Sequence, residues 1–407
     1  MKKWIAKLCL LTFVFGALFG GYQMNLFSGQ KAEAAVQEEL RGVWIASVYN
    51  IDFPSKQGIS VTQMKQELDS ILDNAEAMHF NAVFFQVRPT ADALYRSNVY
   101  PWSAYLTGKQ GQAPANGFDP LAYLVAEGKK RGIGIHAWIN PYKITRGTAA
   151  KPNWDTSALS EDNPARLYPD LVVAHSSGEL YLNPGEPMSR YLVLQGVKEL
   201  LDRYDLAGIH YDDYFYPDGS FDDADTYAKY GQGYSSIEDW RRHNVDLLVQ
   251  ETYQLVHQKQ GVVFGVSPAG VWANKTTNAA GSDTSAGVET YYDHYADTRK
   301  WVQQGWLDYI APQIYWQIGH SKCDYATLVD WWSSVTRGTG VKLYIGHAAY
   351  KTGDSAQGTQ WMDGKELERQ IAYNRADGNV AGSIFYGYSA LKNNTLGIQE
   401  SVSKMFE

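Results

Sequence analysis

The sequence predicts an α/β fold of the (β/α)8 barrel type, on three observations. Eight short runs of apolar, β-branched or aromatic residues recur along 407 residues, with starts about 49 residues apart on average. These runs are continuously apolar and do not alternate, which is the pattern of parallel strands covered on both faces. Between them lie stretches with helical periodicity, and strand–helix repeated eight times closes into a barrel. The competing architecture is a doubly wound sheet, but no Gly-x-Gly-x-x-Gly follows the first strand to support its dinucleotide-binding form.

Residues 1–34 read as a signal peptide. Lys2 and Lys3 supply a positive start, Leu8 to Leu18 is an apolar run too short to span a bilayer, and Ala32-Glu33-Ala34 is a small-x-small cleavage site. Cleavage would leave residues 35–407 as the barrel, with Cys323 as their single cysteine and no intrachain disulfide. The expected location is secreted or cell-wall associated, with no stable membrane insertion once the signal is removed. A chain of this length can hold itself by its core, since it buries about 75% of its unfolded surface.

The strands are expected at 42–47, 81–87, 134–139, 208–212, 262–267, 309–315, 342–348 and 382–388. Val61, Met64, Leu68, Ile71, Leu72, Ala75 and Met78 share one face of the first long helix. Asp119 followed by Pro120 is an N-cap with proline at N1, opening a helix through Arg131. Ile237, Trp240, Asn244, Leu247, Leu248 and Leu255 mark another, and helices over 295–305, 325–336, 365–377 and 395–406 complete the set. The long insertions 140–187 and 268–294 follow strands and so build the barrel's C-terminal face, where barrel active sites lie.

Composition narrows the function. The chain carries 36 basic and 44 acidic side chains, a formal charge of -8, which argues against a nucleic-acid partner. Aromatic residues make up 14%, including 29 Tyr and 13 Trp, a hint of flat ligand surfaces, although most aromatics in any protein are core.

Chemistry collects at the strand ends. The densest run is Gly208-Ile-His210-Tyr-Asp212-Asp213-Tyr214-Phe-Tyr-Pro217. If Ile209 and Tyr211 face the helices, alternation turns His210 and Asp212 into the barrel mouth. Adjacent carboxylates are costly unless paired or solvated, so they point to chemistry or ion binding; the structural alternative is an acidic turn capping the next helix. Arg88 and Asp92 leave strand two, Asn140 and Tyr142 leave strand three, and Gln313, Tyr315 and Trp316 leave strand six. Trp44, His347, Tyr386 and Tyr388 stand near other strand ends. Polar and aromatic groups at so many strand ends describe a wet, π-lined groove of the kind a sugar polymer needs.

The runs Arg41–Ser47, Phe85–Pro89, Asp92–Tyr95, Pro101–Ser103, His136–Tyr142, His210–Pro217, Tyr295–Trp301 and Asp308–Trp316 resemble the glycosyl-hydrolase-like 10 family of exported bacterial barrels. This family is distinct from the true family-10 xylanases. The resemblance covers about Leu40 to Ala390 and implies an envelope glycoside hydrolase; some relatives act on peptidoglycan glycan strands. Gly208-Ile-His210-Tyr-Asp212 is also similar to the strand-four pattern of α-amylase-type barrels, which implies that Asp212 is the nucleophile or charge stabiliser, with Asp213 its neighbour or competitor. Glycosidic cleavage usually uses two carboxylates. Glu289, the single Glu of the loop after strand five, is the first choice for the second, ahead of Asp52, Asp92 and Asp293. Arg88, Asp92, Asn140, Tyr142, His210, Tyr214, Gln313, Tyr315, Trp316, His347 and Tyr386 are the expected substrate contacts.

Three other classes compete. A metal-dependent polysaccharide deacetylase would want neighbouring imidazoles, and no His-x-x-x-His pair occurs. A serine esterase would want a Gly-x-Ser-x-Gly elbow, which Gly265-Val-Ser267-Pro-Ala-Gly270 lacks. A non-catalytic polysaccharide-binding barrel would use the same aromatics without turnover. The expectation is a two-carboxylate glycoside hydrolase with a cell-wall polysaccharide as its partner and no metal or other cofactor.

Overall fold

The computed structural model describes residues 38–407; the signal segment expected at 1–34 lies outside them. Ten strands form in chain order: β1 (Leu40–Ile45), β2 (Ala82–Arg88), β3 (Gly134–Ile139), β4 (Val172–Ala174), β5 (Leu180–Leu182), β6 (Gly208–Tyr211), β7 (Val263–Val266), β8 (Tyr309–Ile310), β9 (Lys342–Ala348) and β10 (Val380–Tyr386). Eight of them close in the order β1-β10-β9-β8-β7-β6-β3-β2, and every barrel pair is parallel. The (β/α)8 expectation is therefore met. The two remaining strands form an antiparallel hairpin, β4–β5, inside the long loop after β3.

Eight principal helices pack outside: α1 (Val61–Ala77), α2 (Pro120–Lys130), α3 (Pro187–Arg203), α4 (Ile237–Val256), α5 (Thr298–Gln303), α6 (Tyr325–Thr336), α7 (Glu366–Asp377) and α8 (Ile398–Phe406). Local sequence fixes their starts. At α1 the Ser60 hydroxyl accepts from the Gln63 N–H at 3.2 Å while the Gln63 side chain accepts from the Ser60 N–H at 3.1 Å, a reciprocal capping box. At α2 Asp119 accepts from the Ala122 N–H at 3.0 Å and Pro120 spends no donor.

Strand alternation divides the apolar residues into two sets. Val43, Ile45, Val83, Phe85, Ile135, Ile209, Phe264, Leu343 and Ile345 belong to the layer between sheet and helices. Trp44, Phe84, Trp138, Tyr309 and Ile384 form a separate cluster inside the barrel. Rings fill that interior because glycines make room for them. A Cβ on Gly265 would sit 2.2 Å from the Tyr309 ring, and one on Gly208 would sit 2.3 Å from His136 Nδ1. Each of these buried rings removes enough apolar surface to be worth about 2–3 kcal/mol, so the barrel interior is a packed plug.

A hydrogen-bonded chain crosses this plug. The Trp44 indole N–H donates to His210 Nε2 at 3.1 Å, so the His210 proton sits on Nδ1, which faces the Tyr309 hydroxyl at 3.0 Å. That hydroxyl in turn reaches His136 Nδ1 at 3.4 Å. Burial, together with His136 nearby, holds the His210 imidazole well below its ordinary pKa, so it stays neutral and serves as a prop.

Candidate active site

The C-terminal rim of the barrel opens onto a cavity of about 270 Å³. Its floor is the end of β6. Asp212 follows His210 by two residues and shares its inward parity; the side chain lines the cavity at 6% exposure. Three donors pin its carboxyl. The Trp138 indole N–H reaches Oδ2 at 3.1 Å, while the Gln313 side-chain amide and the Asp213 backbone N–H reach Oδ1 at 3.1 and 2.9 Å. Gln313 is held in turn by donating to the Ser267 carbonyl at 2.9 Å.

Asp213 also lines the cavity, and its Oδ1 is buried with no hydrogen-bond partner. Burial, then the adjacent Asp213 charge, pushes the Asp212 carboxyl well above the carboxylate range. Burial raises Asp213 too, opposed chiefly by the positive field of His294. Two carboxyls this close do not both ionise readily.

Cations and rings form the walls. Lys143 Nζ lies 3.1 Å and Arg146 Nη1 2.9 Å from the carboxylate of Glu179, which immediately precedes β5. The Tyr181 hydroxyl donates to the same carboxylate at 2.7 Å. The hairpin thereby clamps the loop after β3 against the site. Lys143 sits 4.0 Å above the Tyr214 ring. Tyr315 and Tyr386 stack at 6.0 Å with 10° between their planes, and both face the cavity beside Trp44 and Trp138. Asn140 presents a buried Oδ1 with no partner while its Nδ2 donates to the Pro89 carbonyl at 3.1 Å.

The structure thus brings seven expected residues into one cavity: Asp212, Asp213, Asn140, Tyr214, Gln313, Tyr315 and Tyr386. Others are placed elsewhere, each for a physical reason. Glu289 does not line the cavity; its Oε2 accepts from the Asn274 N–H at 2.6 Å and from the Thr277 hydroxyl, closing its own loop. His210 is fully buried beneath the floor. His347 has the opposite strand parity and faces α7, where it contacts Gln370 at 2.9 Å, with Ser383 of the neighbouring β10 at 3.1 Å. Arg88 is buried over the Tyr100 ring and donates to the Pro141 carbonyl at 2.9 Å. Tyr142 is fully buried, and Trp316 contributes its carbonyl to Gln370 outside the cavity. Asp92 faces a second cavity. Asp52 bonds back to the Ala46 N–H at 2.8 Å, with burial raising its carboxyl to about 6.

The cavity residues absent from the expected set are Val48, Tyr49, Ile51, Gln86, Arg146, Trp138, Trp44 and Ser267. Strand parity offers a signal for Gln86, Trp138, Trp44 and Ser267, which alternate inward with their neighbours. Tyr49 and Arg146 lie in loops and carry no such signal. Among the described residues no group of three or more His, Cys, Asp or Glu is placed to hold a metal ion.

A carboxyl pair at the C-terminal rim of a closed (β/α)8 barrel, walled by stacked tyrosines and tryptophans, is the arrangement of a glycoside-hydrolase-type barrel. The family profile described as glycosyl hydrolase-like 10 matches residues 39–363, and the chain belongs to that family. It is 45% identical over 407 residues to glycosyl hydrolase YngK of Bacillus subtilis, covering 98% of this chain and 76% of that one. It is 38% identical over 383 residues to glycosyl hydrolase DigH of Escherichia coli, covering 88% and 86%. Among solved structures, the PgaB (BpsB) glycoside hydrolase domain of Bordetella bronchiseptica superposes with a TM-score of 0.57 at 13% identity, covering 91% of this chain and 99% of that domain. At that identity the likeness is one of fold.

Proposed function

We propose that this protein is a secreted or cell-wall-associated glycoside hydrolase acting on the glycan strands of the cell envelope, peptidoglycan first among them. The observation that carries the reading is the unequal pair on the cavity floor. Asp212 is fixed by three donors, whereas Asp213 keeps an unpartnered oxygen. In this reading the proton of the coupled pair passes from Asp213 to the glycosidic oxygen as the bond from that oxygen to C1 breaks, and the three donors to Asp212 favour the charge left on it. The Asp212 carboxylate, held in place by its donors, stabilises the positive charge that develops on the sugar. A water molecule then adds to C1 and returns a proton to Asp213. The aromatic walls suit the C–H faces of sugar rings, and the Asn140 oxygen suits a hydroxyl or amide N–H. Membership of the family and the names of its relatives support hydrolysis; the apolar, Lys-flanked start of the sequence supports export.

The test is mass spectrometry of the products released from purified peptidoglycan and from other bacterial exopolysaccharides, with wild type and Asp212→Asn. The expected result is soluble fragments with new reducing ends from the wild type, and none from a variant that keeps its circular dichroism spectrum. Wild-type-like release by Asp212→Asn would refute the assignment. Binding without release by the wild type would mark a glycan-binding barrel.

A further inference from the structure

The catalytic cavity has a neighbour. A second cavity of about 440 Å³ lies beyond the loops after β1 and β3. Tyr49 and Arg146 line both cavities, and the Arg146 guanidinium sits 5.1 Å from the Tyr49 ring centre. The two cavities are therefore adjoining parts of one groove, separated by a single stacked pair.

The partition is built at a cost. Tyr49 has φ 54° and ψ 17°, and Asn50 beside it has φ 53°. The left-handed region costs a side-chain-bearing residue roughly 1–2 kcal/mol. The strain is held by Asn50, whose Nδ2 donates to the carbonyls of Pro54 at 2.9 Å and Tyr105 at 2.8 Å. Its result is a tyrosine ring 54% exposed at the junction, set edge-on to Tyr105 at 6.4 Å. An exposed ring held in a strained backbone, between two cavities, is a surface kept for contact. On the same partition Arg146 keeps a buried Nε without a partner. On the wall of the second cavity the Asp92 carboxyl accepts from Thr90 at 3.0 Å and Gln110 at 2.9 Å, with Ser103 and the Ala104 N–H as further partners, so it orients the Gln110 amide on the cavity wall.

We propose that this second cavity is a saccharide subsite, holding the sugar unit next to the one in the catalytic cavity, with the chain passing over the Tyr49–Arg146 partition. The inference rests on the hydrolase reading above. Its ligand class is a neutral, hydroxyl-rich ring with an apolar face: the ring lies against Tyr49 or Tyr105, and its hydroxyls meet Gln110 and the Arg146 guanidinium. The enzyme would then recognise at least two consecutive units on one side of the bond it cuts.

The experiment compares kcat/KM on glycan oligomers of increasing length, with the reducing end labelled, for the wild type, Ala158→Trp and Tyr49→Gly. Ala158 is exposed at the outer rim of the second cavity and does not touch the catalytic one, so a tryptophan there blocks the cavity from outside. The wild type should gain about tenfold from the added unit, the effect of one packed aromatic face with its hydrogen bonds. Ala158→Trp should lose that gain while cutting the shortest substrate as the wild type does. Tyr49→Gly should lose it in part. Equal kcat/KM for short and long oligomers, or an Ala158→Trp loss that is the same at every length, overturns the subsite and leaves the hydrolase reading standing. Calorimetric titration of the same oligomers reads the subsite independently of turnover: a length-dependent affinity that Ala158→Trp abolishes supports it, and a length-independent one overturns it.

Discussion

Replacing Trp138 by Phe removes one hydrogen bond from the centre of the site and keeps an aromatic ring in its wall. The indole N–H donates to Asp212 Oδ2 at 3.1 Å, and this bond lowers the Asp212 pKa against the opposing pull of burial and Asp213. A hydrogen bond to a charged acceptor is worth about 1.5–3 kcal/mol. If the Asp212 charge is needed most in the transition state, kcat/KM falls roughly 10- to 150-fold. The loss also carries a direction in pH. An acid that loses a donor to its charged form becomes harder to ionise, so the acid limb of the kcat/KM profile moves upward, by about one unit for each ~1.4 kcal/mol lost. Trp138 is buried, and the smaller ring costs about 1–2 kcal/mol of stability, so rates are normalised to the folded fraction measured by circular dichroism. The assay is reducing-end release across pH 4–9. An acid limb that stays in place, or moves downward, refutes the view that the Trp138 bond holds Asp212 ionised.

Two further outcomes follow from the same geometry. Glu289→Gln should leave turnover within about threefold, because the side chain closes its own loop; faster hydrogen exchange at Asn274 should accompany it, and a loss of turnover beyond about 100-fold would restore Glu289 as the acid. His294 should make stability pH-dependent. Its Nε2 lies 2.6 Å from Asp218; burial opposes protonation, but the Asp218 and Asp213 charges win and the pKa is raised. A raised histidine pKa gives stability that is complete below the unfolded value, about 6.5, and disappears as pH rises through the folded value. Asp218 is mostly exposed, so the difference stays under ~1 kcal/mol. His294→Gln should therefore lower Tm at pH 5.5 and leave it unchanged at pH 8.5; an equal loss at both would refute the linkage.

The barrel was legible because its strands are short apolar runs bounded by glycine and polar residues. β3 and β9 fall at the expected residues. β8 does not: the apolar run from Tyr309 to Tyr315 predicts a long strand, yet regular pairing ends at Ile310. Pro312 has no N–H to give the ladder, and the chain beyond it pairs through isolated bridges at Gln313. The β4–β5 hairpin was not read, since three residues per strand carry too little periodicity. At the site, parity turned Asp212, Gln313 and Tyr315 inward correctly. For His347 the useful information was its neighbours: Leu343 and Ile345 share its side of β9 and face the helices. Position along the chain could not reveal Arg146, which reaches the cavity through the Glu179 clamp, or Tyr49, which reaches it through a strained turn.

The ring-filled barrel interior sets how a polymer can approach. With Tyr309, His210, Phe84 and Trp44 stoppering the bore, no strand can thread it end-first. On the hydrolase reading, a long glycan would lie across the opening and not through the bore.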